Sequence, residues 1–342
     1  MESRPPNGSN KAESKSLIMP KLLQINVTAN WGSTGKIAEH IGLCAMAHGW
    51  ESYIAYGRYS NTSASRLIKV GNKLDTYLHY CEQSLRDNEG LCSRRATRKL
   101  IQQIESIQPD VVHLHVIHDH YLNYRILFEY LNQTNIKIVW TMHDCWAFTG
   151  HCMHFISKDC ERWKTECNDC PMQHVFPKTL LDHSRKNFEL KKRLFPTHPN
   201  ITLVGVSEWI GNNIKQSILC KKPIIVIPNG IDLNTFKPQS EMVNNGKFRI
   251  LGVASVWKKN KGLDDFLLLR SMLSTTDYDI ILVGLTSKQI KNLPQGITGI
   301  MRTDCIQELA QLYSCADVLA NPTYADCFPS VNLESIACGT PV

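Results

Sequence analysis

The sequence predicts an α/β protein with two doubly wound parallel sheets, and two observations support this fold class. Short apolar runs alternate with helical segments through both halves of the chain, which is the pattern of strands covered by helices. The length of 342 residues is also enough for two such domains of ordinary size. We expect a disordered extension at residues 1–19, a first domain at residues 20–225 and a second domain at residues 226–342.

The amino-acid composition limits the classes of partner and the cellular compartment that the protein can have. The formal net charge of +7 suits an anionic substrate or an anionic membrane surface, whereas the sequence lacks the Lys/Arg stripe with interleaved aromatic residues that favours nucleic acid. No apolar run is long enough to span a bilayer, so membrane contact should be peripheral. Residues 1–16 lack the apolar core of a secretory signal, and 13 cysteines, an odd number, favour a reducing compartment. We therefore expect a cytoplasmic protein, either free or peripheral on the inner face of the plasma membrane.

The first domain should begin with a parallel strand at Leu22–Val27 that leads into a glycine-containing turn. Gly32 and Gly35 lie between this strand and a helix at Lys36–Ala47. Such a turn lies at the carboxyl edge of a parallel sheet, where substrates bind, and glycine lets the backbone approach a ligand closely. The alternative is a tight turn that needs glycine only for its dihedral angles. The other elements predicted here are strands at Glu51–Tyr56, in QPDVVHLH, at Ile136–Thr141, Ile201–Val206 and Ile224–Ile227, and helices at Leu100–Ile107 and Phe188–Leu194.

Histidines gather at the exits of two of these strands. Four of them lie within eight residues, which allows a metal site, but alternation with apolar residues favours packing of one strand face against the next layer. His143 and Asp144 lie just past another strand end, a favourable place for a catalytic or acceptor-orienting pair. The alternative for His143 is a structural hydrogen bond to a loop. The four clustered histidines are His113, His115, His118 and His120.

A cysteine-rich insert follows at residues 145–172. It holds a C-x7-C-x6-C-x2-C pattern in a segment with little apolar material, and a tetrahedral thiolate site would order such a loop without a core. We predict a structural zinc here, with His151 and His154 as substitute ligands; the alternative is free thiols in a packed insert. The predicted ligands are Cys152, Cys160, Cys167 and Cys170.

The second domain should repeat the strand and helix alternation. It follows Pro228-Asn229-Gly230-Ile231-Asp232, where Asn229-Gly230 suits a tight turn. Three lysines, Lys258, Lys259 and Lys261, then precede Gly262 and a helix that runs to about Leu273. The remaining elements are predicted as strands at Phe248–Ala254, Tyr278–Val283, Gly299–Met301 and Asp317–Ala320, and helices at Ser287–Leu293 and Ile306–Ser314.

The last stretch, Asn321 to Val342, has the pattern of an anion-binding loop. A loop at 324–329 should lead into a helix at Val331–Ala337, which Ser330 can cap and Gly339-Thr340-Pro341 can end, and should deliver free backbone N–H groups to an anion. A diphosphate would be held by the amides of residues 330–332 and by the positive end of the helix dipole. Glu334, one turn into the helix, can accept hydrogen bonds from ribose hydroxyls, and Asp326 on the loop can reach the sugar or the transferred group.

These residues resemble the donor-site signature of the retaining nucleotide-sugar glycosyltransferases of family 4, which have the two-domain GT-B fold. In that signature two Glu residues are separated by seven others; here the second is Glu334, but Asp326 takes the first place. The strand PDVVHLH, the stretch His143-Asp144-Cys145-Trp146 and the P-N-G-I-D crossing are also similar to family segments. The resemblance implies two Rossmann-like domains facing a cleft, with the acceptor on the side of the first.

The resemblance also implies roles. His143 faces the donor sugar across the cleft together with Asp326, and the loop at Gly35 and the turn at Asn229 line the donor site. Lys261, with Lys258 or Lys259 as the second cation, neutralises the leaving diphosphate, so a divalent metal is not required. The family continues beyond the position that matches Val342, so the second domain is expected to be an incomplete, truncated version.

The implied function is retaining transfer of a sugar from a nucleotide diphosphate sugar to a saccharide or lipid-linked acceptor. The resemblance to exopolysaccharide and colanic-acid enzymes places that reaction in bacterial surface-polysaccharide assembly. The alternative is a non-catalytic nucleotide-sugar binder or a degenerate remnant of such an enzyme.

Overall fold

The computed structural model describes residues 19–239 and 246–342. The predicted N-terminal extension lies outside the described residues except for Met19, which is exposed. Two separate parallel sheets organise the rest of the chain, one of seven strands and one of four. Within the described ranges, no helix combines the length and the apolar character needed to cross a bilayer.

The first sheet has the strand order β3-β2-β1-β4-β5-β6-β7, and every neighbouring pair is parallel. Parallel strands that are buried on both faces are continuous apolar segments in the sequence. For this reason most strands of the first sheet were predictable from the sequence. The short edge strand β3, with its exposed residues, was not predicted. The strands are β1 (Lys21–Asn26), β2 (Glu51–Tyr56), β3 (Arg66–Lys69), β4 (Val111–Leu114), β5 (Lys137–Met142), β6 (Ile201–Gly205) and β7 (Ile224–Val226).

Six helices accompany this sheet. The first begins at Gly32, one turn earlier than predicted, so Gly35 lies inside the helix rather than in the turn before it. Three helices, α2, α4 and α6, were not predicted, and each is anchored at its start by a side chain that accepts a backbone hydrogen bond: Asn72, Asn123 and Ser207. The helices are α1 (Gly32–Ala47), α2 (Lys73–Arg86), α3 (Arg94–Ile107), α4 (Tyr124–Leu131), α5 (Ser184–Leu194) and α6 (Glu208–Lys215).

The second sheet has the strand order β10-β9-β8-β11, again fully parallel. Its last helix begins at Ser330 and its N-cap is Pro329, so the prediction that Ser330 caps the helix is wrong: Ser330 is itself the first helical residue. The elements are β8 (Phe248–Val253), α7 (Leu263–Met272), β9 (Tyr278–Val283), α8 (Ser287–Lys291), β10 (Ile297–Ile300), α9 (Ile306–Ser314), β11 (Val318–Leu319) and α10 (Ser330–Ala337).

A loop of the second sheet packs on the core of the first. The main core lies around the first sheet and contains the fully buried rings of Phe128, Trp140 and Phe195. Cys327, from the loop before α10, is part of this core, and the neighbouring Phe328 packs against it. The carboxyl edges of the two sheets therefore meet across a closed cleft.

Both sheets reverse their strand order at one point. In the first sheet the reversal lies between β1 and β4, and in the second between β8 and β11. Loops that leave the carboxyl ends of strands on either side of such a reversal form a crevice in which ligands bind in open α/β sheets. The histidine strand β4 exits at one of these points, and the Lys261 and Asp326 loops exit at the other.

Candidate active site

The donor side of the site is centred on an ion pair between two loops of the second sheet. Lys261, after β8, places its Nζ 2.7 Å from Oδ2 of Asp326, after β11. The other carboxylate oxygen, Oδ1, accepts a hydrogen bond from the backbone N–H of Phe328 at 3.2 Å. Two residues that the sequence assigned to separate motifs thus meet at one place.

The backbone of the two loops also makes close contact. The N–H of Tyr324 donates to the carbonyl of Asn260 at 3.0 Å. Gly262 has a φ of +76°, and a Cβ there would lie 2.5 Å from the carbonyl oxygen of Pro322. A side chain at position 262 would separate the loops, so glycine is required for the Lys261–Asp326 pair to form.

Glu334 lies one turn into α10 and accepts a hydrogen bond from the hydroxyl of Tyr313 at 2.9 Å. Burial raises the pKa of Glu334, while Tyr313, the cation of Lys36 and the hydroxyl of Ser330 act in the opposite direction. Lys36 belongs to α1 of the first domain, so Glu334 faces across the cleft. Of the amides expected to be free for an anion, that of Asn332 already donates to the carbonyl of Pro329 at 3.2 Å.

On the opposite side, His143 is held by a buried chain of hydrogen bonds. Its Nε2 lies 3.1 Å from Nδ1 of His115, and Nε2 of His115 lies 3.1 Å from Oε1 of Gln24. The amide of Gln24 is oriented in turn, because its Nε2 donates to the carbonyl of Ala38 at 2.7 Å. His115 also stacks on His113 and on His143, with ring centroids 4.2 and 5.4 Å away.

This chain fixes the tautomer of His143. Because Oε1 of Gln24 can only accept, Nε2 of His115 carries a proton and its Nδ1 accepts one from Nε2 of His143. Burial lowers the pKa of His143 to about 4, so the ring is neutral near pH 7. Nδ1 of His143 therefore keeps a free lone pair that can accept a hydrogen bond from a hydroxyl.

The remaining histidines of this edge are paired with carboxylates. Nε2 of His118 lies 2.9 Å from Oδ2 of Asp144; burial opposes ionisation of Asp144, but His118 and the backbone N–H of Trp146 bring its pKa down to about 2. His120 lies 3.1 Å from both Glu89 and Asp119. Burial lowers the pKa of His120, but its two carboxylate partners outweigh burial and raise it to about 9.

Two other predicted donor residues are placed differently from expectation, and a third lies in the connection where the sequence put it. Lys258 does not join Lys261: its Nζ lies 5.8 Å from the ring centroid of Phe176, in the first domain. A Cβ on Gly35 would lie 2.6 Å from Oγ1 of Thr28, so this glycine allows α1 to pack on its own preceding loop rather than on a ligand. Asn229 lies partly buried in the connection between β7 and β8.

The four insert cysteines line one small cavity together with Phe155 and Trp163. The backbone N–H of Gly150 donates to the sulfur of Cys167 at 3.2 Å. Among the described residues, no three of these four sulfur atoms lie within 4.8 Å of one another. The structure thus gathers the four thiols around one space without bringing them to the spacing of zinc ligands.

The two predicted substitute ligands differ in their position relative to that cavity. Both ring nitrogens of His151 are engaged, Nδ1 with Asp87 at 2.6 Å and Nε2 with the carbonyl of Pro177 at 2.8 Å. His154 lies instead beside Cys327, with its Nδ1 3.8 Å from that sulfur. His151 thus lines the cavity with both ring nitrogens engaged by other partners, and His154 lies outside its lining.

Sequence reasoning missed several residues at the cleft. Tyr313 and Lys36 accompany Glu334, and neither belongs to a recognisable motif. Arg302 of the second domain lies over the ring of Trp31 in the first, 5.3 Å from its centroid. The one available signal was the place of Lys36 and Trp31 beside the Gly32–Gly35 turn, which the sequence already assigned to the cleft.

Comparison with known families divides the chain into two matches. Residues 38–235 match the model described as Glycosyltransferase Family 4, and residues 247–342 match the model described as Glycosyl transferases group 1. The first match covers the strands β2 to β7 of the first sheet, and the second match covers the second sheet.

Among curated proteins, the chain is 26% identical over 236 residues to the putative colanic acid biosynthesis glycosyl transferase WcaC of Escherichia coli K12. That alignment covers 63% of this chain and 55% of the relative. The chain therefore spans about half the length of this relative.

Solved structures share the fold at low sequence identity. Sucrose-phosphate synthase from Thermosynechococcus elongatus superposes with a TM-score of 0.66 at 15% identity, covering 94% of this chain and 80% of the other. Anabaena HepE, in complex with UDP and glucose, superposes with a TM-score of 0.54 at 14% identity over 94% and 80%. These likenesses confirm the predicted GT-B arrangement of two parallel-sheet domains.

Proposed function

The chain belongs to glycosyltransferase family 4, and we propose from this premise that it transfers a sugar from a nucleotide diphosphate sugar with retention of anomeric configuration. The acceptor is a saccharide or a lipid-linked saccharide in bacterial surface-polysaccharide assembly, by analogy with the colanic-acid relative. The observation that carries the proposal is the Lys261–Asp326 pair at 2.7 Å, on the loop whose next residue, Cys327, lies beside His154 of the first domain.

Charge development explains what Lys261 contributes. Cleavage of the bond from the anomeric carbon to the diphosphate builds negative charge on the leaving group, and a positioned cation stabilises that charge. The side chains of Lys261 and Asp326 are 31% and 27% exposed, so the pair can separate at little cost when a diphosphate arrives. Lys261 would then bind the diphosphate, together with the amides at the start of α10.

Asp326 and His143 would act on the sugar. Once Lys261 has turned to the diphosphate, the carboxylate of Asp326 can accept hydrogen bonds from sugar hydroxyls and offset positive charge at the anomeric carbon. Nδ1 of His143 supplies a neutral acceptor, because Gln24 and His115 fix the proton on its other nitrogen. Glu334 would hold the ribose, a contact that belongs to binding rather than to bond cleavage.

Cations and backbone amides serve the diphosphate in this scheme, so transfer should not require a divalent metal.

A structural zinc in the insert is a separate proposal, supported by the four thiols around one cavity and by the N–H of Gly150 directed at Cys167. Freshly reduced protein should then carry a zinc ion in the insert that Cys167→Ala removes. Unchanged zinc content in Cys167→Ala would refute it.

The nature of the acceptor also affects where in the cell the protein would act. A lipid-linked acceptor would bring the enzyme to the inner face of the plasma membrane, where the net charge of +7 favours contact with anionic lipids. We propose a cytoplasmic protein with such a peripheral contact. Co-sedimentation with vesicles that contain an anionic lipid, compared with neutral vesicles, tests it.

A panel of nucleotide sugars tests the function. Transfer or hydrolysis should occur with a donor of this class, starting with UDP-glucose, and the anomeric configuration of the product should match that of the donor. Lys261→Ala should abolish most of the activity, whereas Lys288→Ala, which removes an exposed lysine on α8, should not. Nucleotide binding without any turnover across the panel would favour the non-catalytic alternative.

A further inference from the structure

A group of metal-binding side chains lies between the two domains, outside the predicted insert site. One ligand atom from each of Cys145, His154 and Cys327 lies within 4.8 Å of the others, and no other group of three or more His, Cys, Asp or Glu donors in residues 19–239 and 246–342 is as tight. Two of the three side chains are buried. The group was not predicted, because its members are separated by up to 182 positions in the chain (327 minus 145).

The three donors come from different loops that the fold brings together. Cys145 follows β5 directly after His143 and Asp144, and its N–H donates to the carbonyl of Met153 at 2.8 Å, which fixes the loop carrying His154. Cys327 follows Asp326 in the donor loop of the second sheet and is buried in the core of the first. The cluster thus joins the two sides of the cleft beside the candidate sugar site.

The spacing and chemistry suit a soft divalent cation. Zinc binds Cys sulfur at about 2.3 Å and His nitrogen at about 2.0–2.1 Å in tetrahedral geometry, which places ligand atoms about 3.5 Å apart. The separation of 3.8 Å between Nδ1 of His154 and Sγ of Cys327 is close to that value. Two sulfurs and one imidazole form a donor set that zinc accepts, and a fourth position would be left for water or another ligand.

We propose that Cys145, His154 and Cys327 bind one zinc ion that fastens the donor loop to the first domain. Because Cys145 and His154 belong to the first domain and Cys327 to the second, zinc would favour the closed arrangement in which the three donors meet. By linkage, a nucleotide that also favours closure would then bind zinc-loaded protein more tightly than zinc-free protein. This site is structural and serves no step of sugar transfer.

The zinc content of cysteine variants distinguishes this site from the predicted site in the cysteine-rich insert. If both sites bind, freshly reduced protein carries two zinc ions per chain, and Cys327→Ala and Cys167→Ala each remove one. Cys338→Ala, which removes another buried cysteine of the second domain, should leave the content unchanged. If the insert binds none, the parent carries one zinc and Cys327→Ala carries none. Equal zinc content in Cys327→Ala and the parent overturns the proposal in either case.

A cobalt titration and a second variant keep the proposal testable even if Cys327→Ala does not fold. Zinc-stripped protein titrated with Co²⁺ should develop thiolate-to-cobalt absorption that His154→Gln weakens. His154 is only partly buried, so this variant should fold even if Cys327→Ala does not. His154→Gln with the parent's zinc content and the parent's cobalt spectrum would equally overturn the proposal. Transfer activity is not needed for either measurement, so failure here is distinguishable from failure of the proposed function.

Discussion

The two sides of the cleft hold their polar side chains in different ways. On the first-domain side, Gln24, His115 and His143 form a continuous chain of hydrogen bonds, and His115 is only 3% exposed. On the second-domain side, the Lys261–Asp326 pair is about 30% exposed at each end and rests on a single backbone hydrogen bond to the carboxylate. One side is fixed before a ligand arrives, and the other can exchange partners.

This difference matches what each side is proposed to bind. Buried and fully bonded networks are rigid, because loss of any one member leaves a polar group without a partner. A half-exposed ion pair contributes only about 0–1 kcal/mol to stability, so a charged ligand can displace it. The rigid side suits orientation of sugar hydroxyls, and the exchangeable side suits capture of a diphosphate. Variants on the exchangeable side should therefore lower activity with little loss of stability, whereas variants on the rigid side should lower both.

The largest effect is expected on the exchangeable side. Asp326→Asn removes the charge opposite the reacting sugar and should lower the transfer rate about 10²–10³-fold, as loss of transition-state electrostatics does elsewhere. Its free energy of unfolding should change by less than about 1 kcal/mol. Steady-state kinetics and urea unfolding measure the two quantities, with Asp264→Asn, an exposed carboxylate on α7, as the control. A large loss of stability with unchanged transfer would make the pair structural.

The next effect is expected on the rigid side, where stability and activity should fall together. His115→Phe leaves Gln24 and His143 without their buried partner and should cost about 1–3 kcal/mol of stability. It also frees the tautomer of His143, so transfer should fall about tenfold, as for loss of about 1.4 kcal/mol.

His113→Phe is the matched control for that prediction. His113 also stacks on His115, and its Nε2 lies 2.8 Å from Oγ1 of Thr141 rather than beside His143 or Gln24. It should lose similar stability with little loss of transfer. The ¹⁵N chemical shifts of His143, which report its tautomer, should change in His115→Phe alone. Identical kinetics in the two variants would remove the role of His115 in positioning His143.

A smaller effect should distinguish two residues of the donor side, Glu334 and Asp326, by their contribution to nucleotide binding. Glu334→Ala should weaken binding of the nucleoside diphosphate about 10- to 100-fold, because a hydrogen bond to a charged group contributes about 1.5–3 kcal/mol. Asp326→Ala should weaken that binding by less than about threefold, since its contact is with the sugar. Calorimetry with UDP measures both constants. Equal losses would contradict the separation of ribose and sugar contacts.

The smallest effect concerns pH on the rigid side. His120 has a pKa of about 9, raised above the ordinary 6.5 by Asp119 and Glu89, with Arg58, His79 and Tyr80 also nearby. Its contribution to stability is fully present below pH 6.5 and is lost as the pH rises through 9. The slope cannot exceed about 1.4 kcal/mol per pH unit for one proton.

Thermal melting between pH 6.5 and 9.5 measures that slope. The parent should lose stability over this range, and His120→Gln should show a flatter profile because Gln does not titrate. His48→Gln, which changes an exposed histidine at the end of α1, serves as the control and should follow the parent. Parallel profiles for the parent and His120→Gln would show that His120 is not charged in the folded state.

The fold was predictable because its information is local. Strands such as Tyr278–Val283 contain a continuous apolar run, here Ile280–Val283, and Gly262 and the Pro-Ser pair at 329–330 mark loop ends by their own backbone preferences. The donor motif was also local, since Asp326 and Glu334 lie on one loop and helix. The predicted helix start at Lys36 and the predicted capping role of Ser330 were wrong, because neighbouring loops decide such boundaries.

The sequence by itself thus determined the two parallel sheets, the strand ends that carry His143, Lys261 and Asp326, and the family. Only the tertiary structure decided which of those side chains are partners. Hydrogen bonds and ion pairs depend on distances of about 3 Å between atoms far apart in the chain, and no spacing rule encodes them. Packing therefore paired Lys261 with Asp326, sent Lys258 to Phe176, fixed the tautomer of His143 through Gln24, and joined Cys327 to Cys145 and His154.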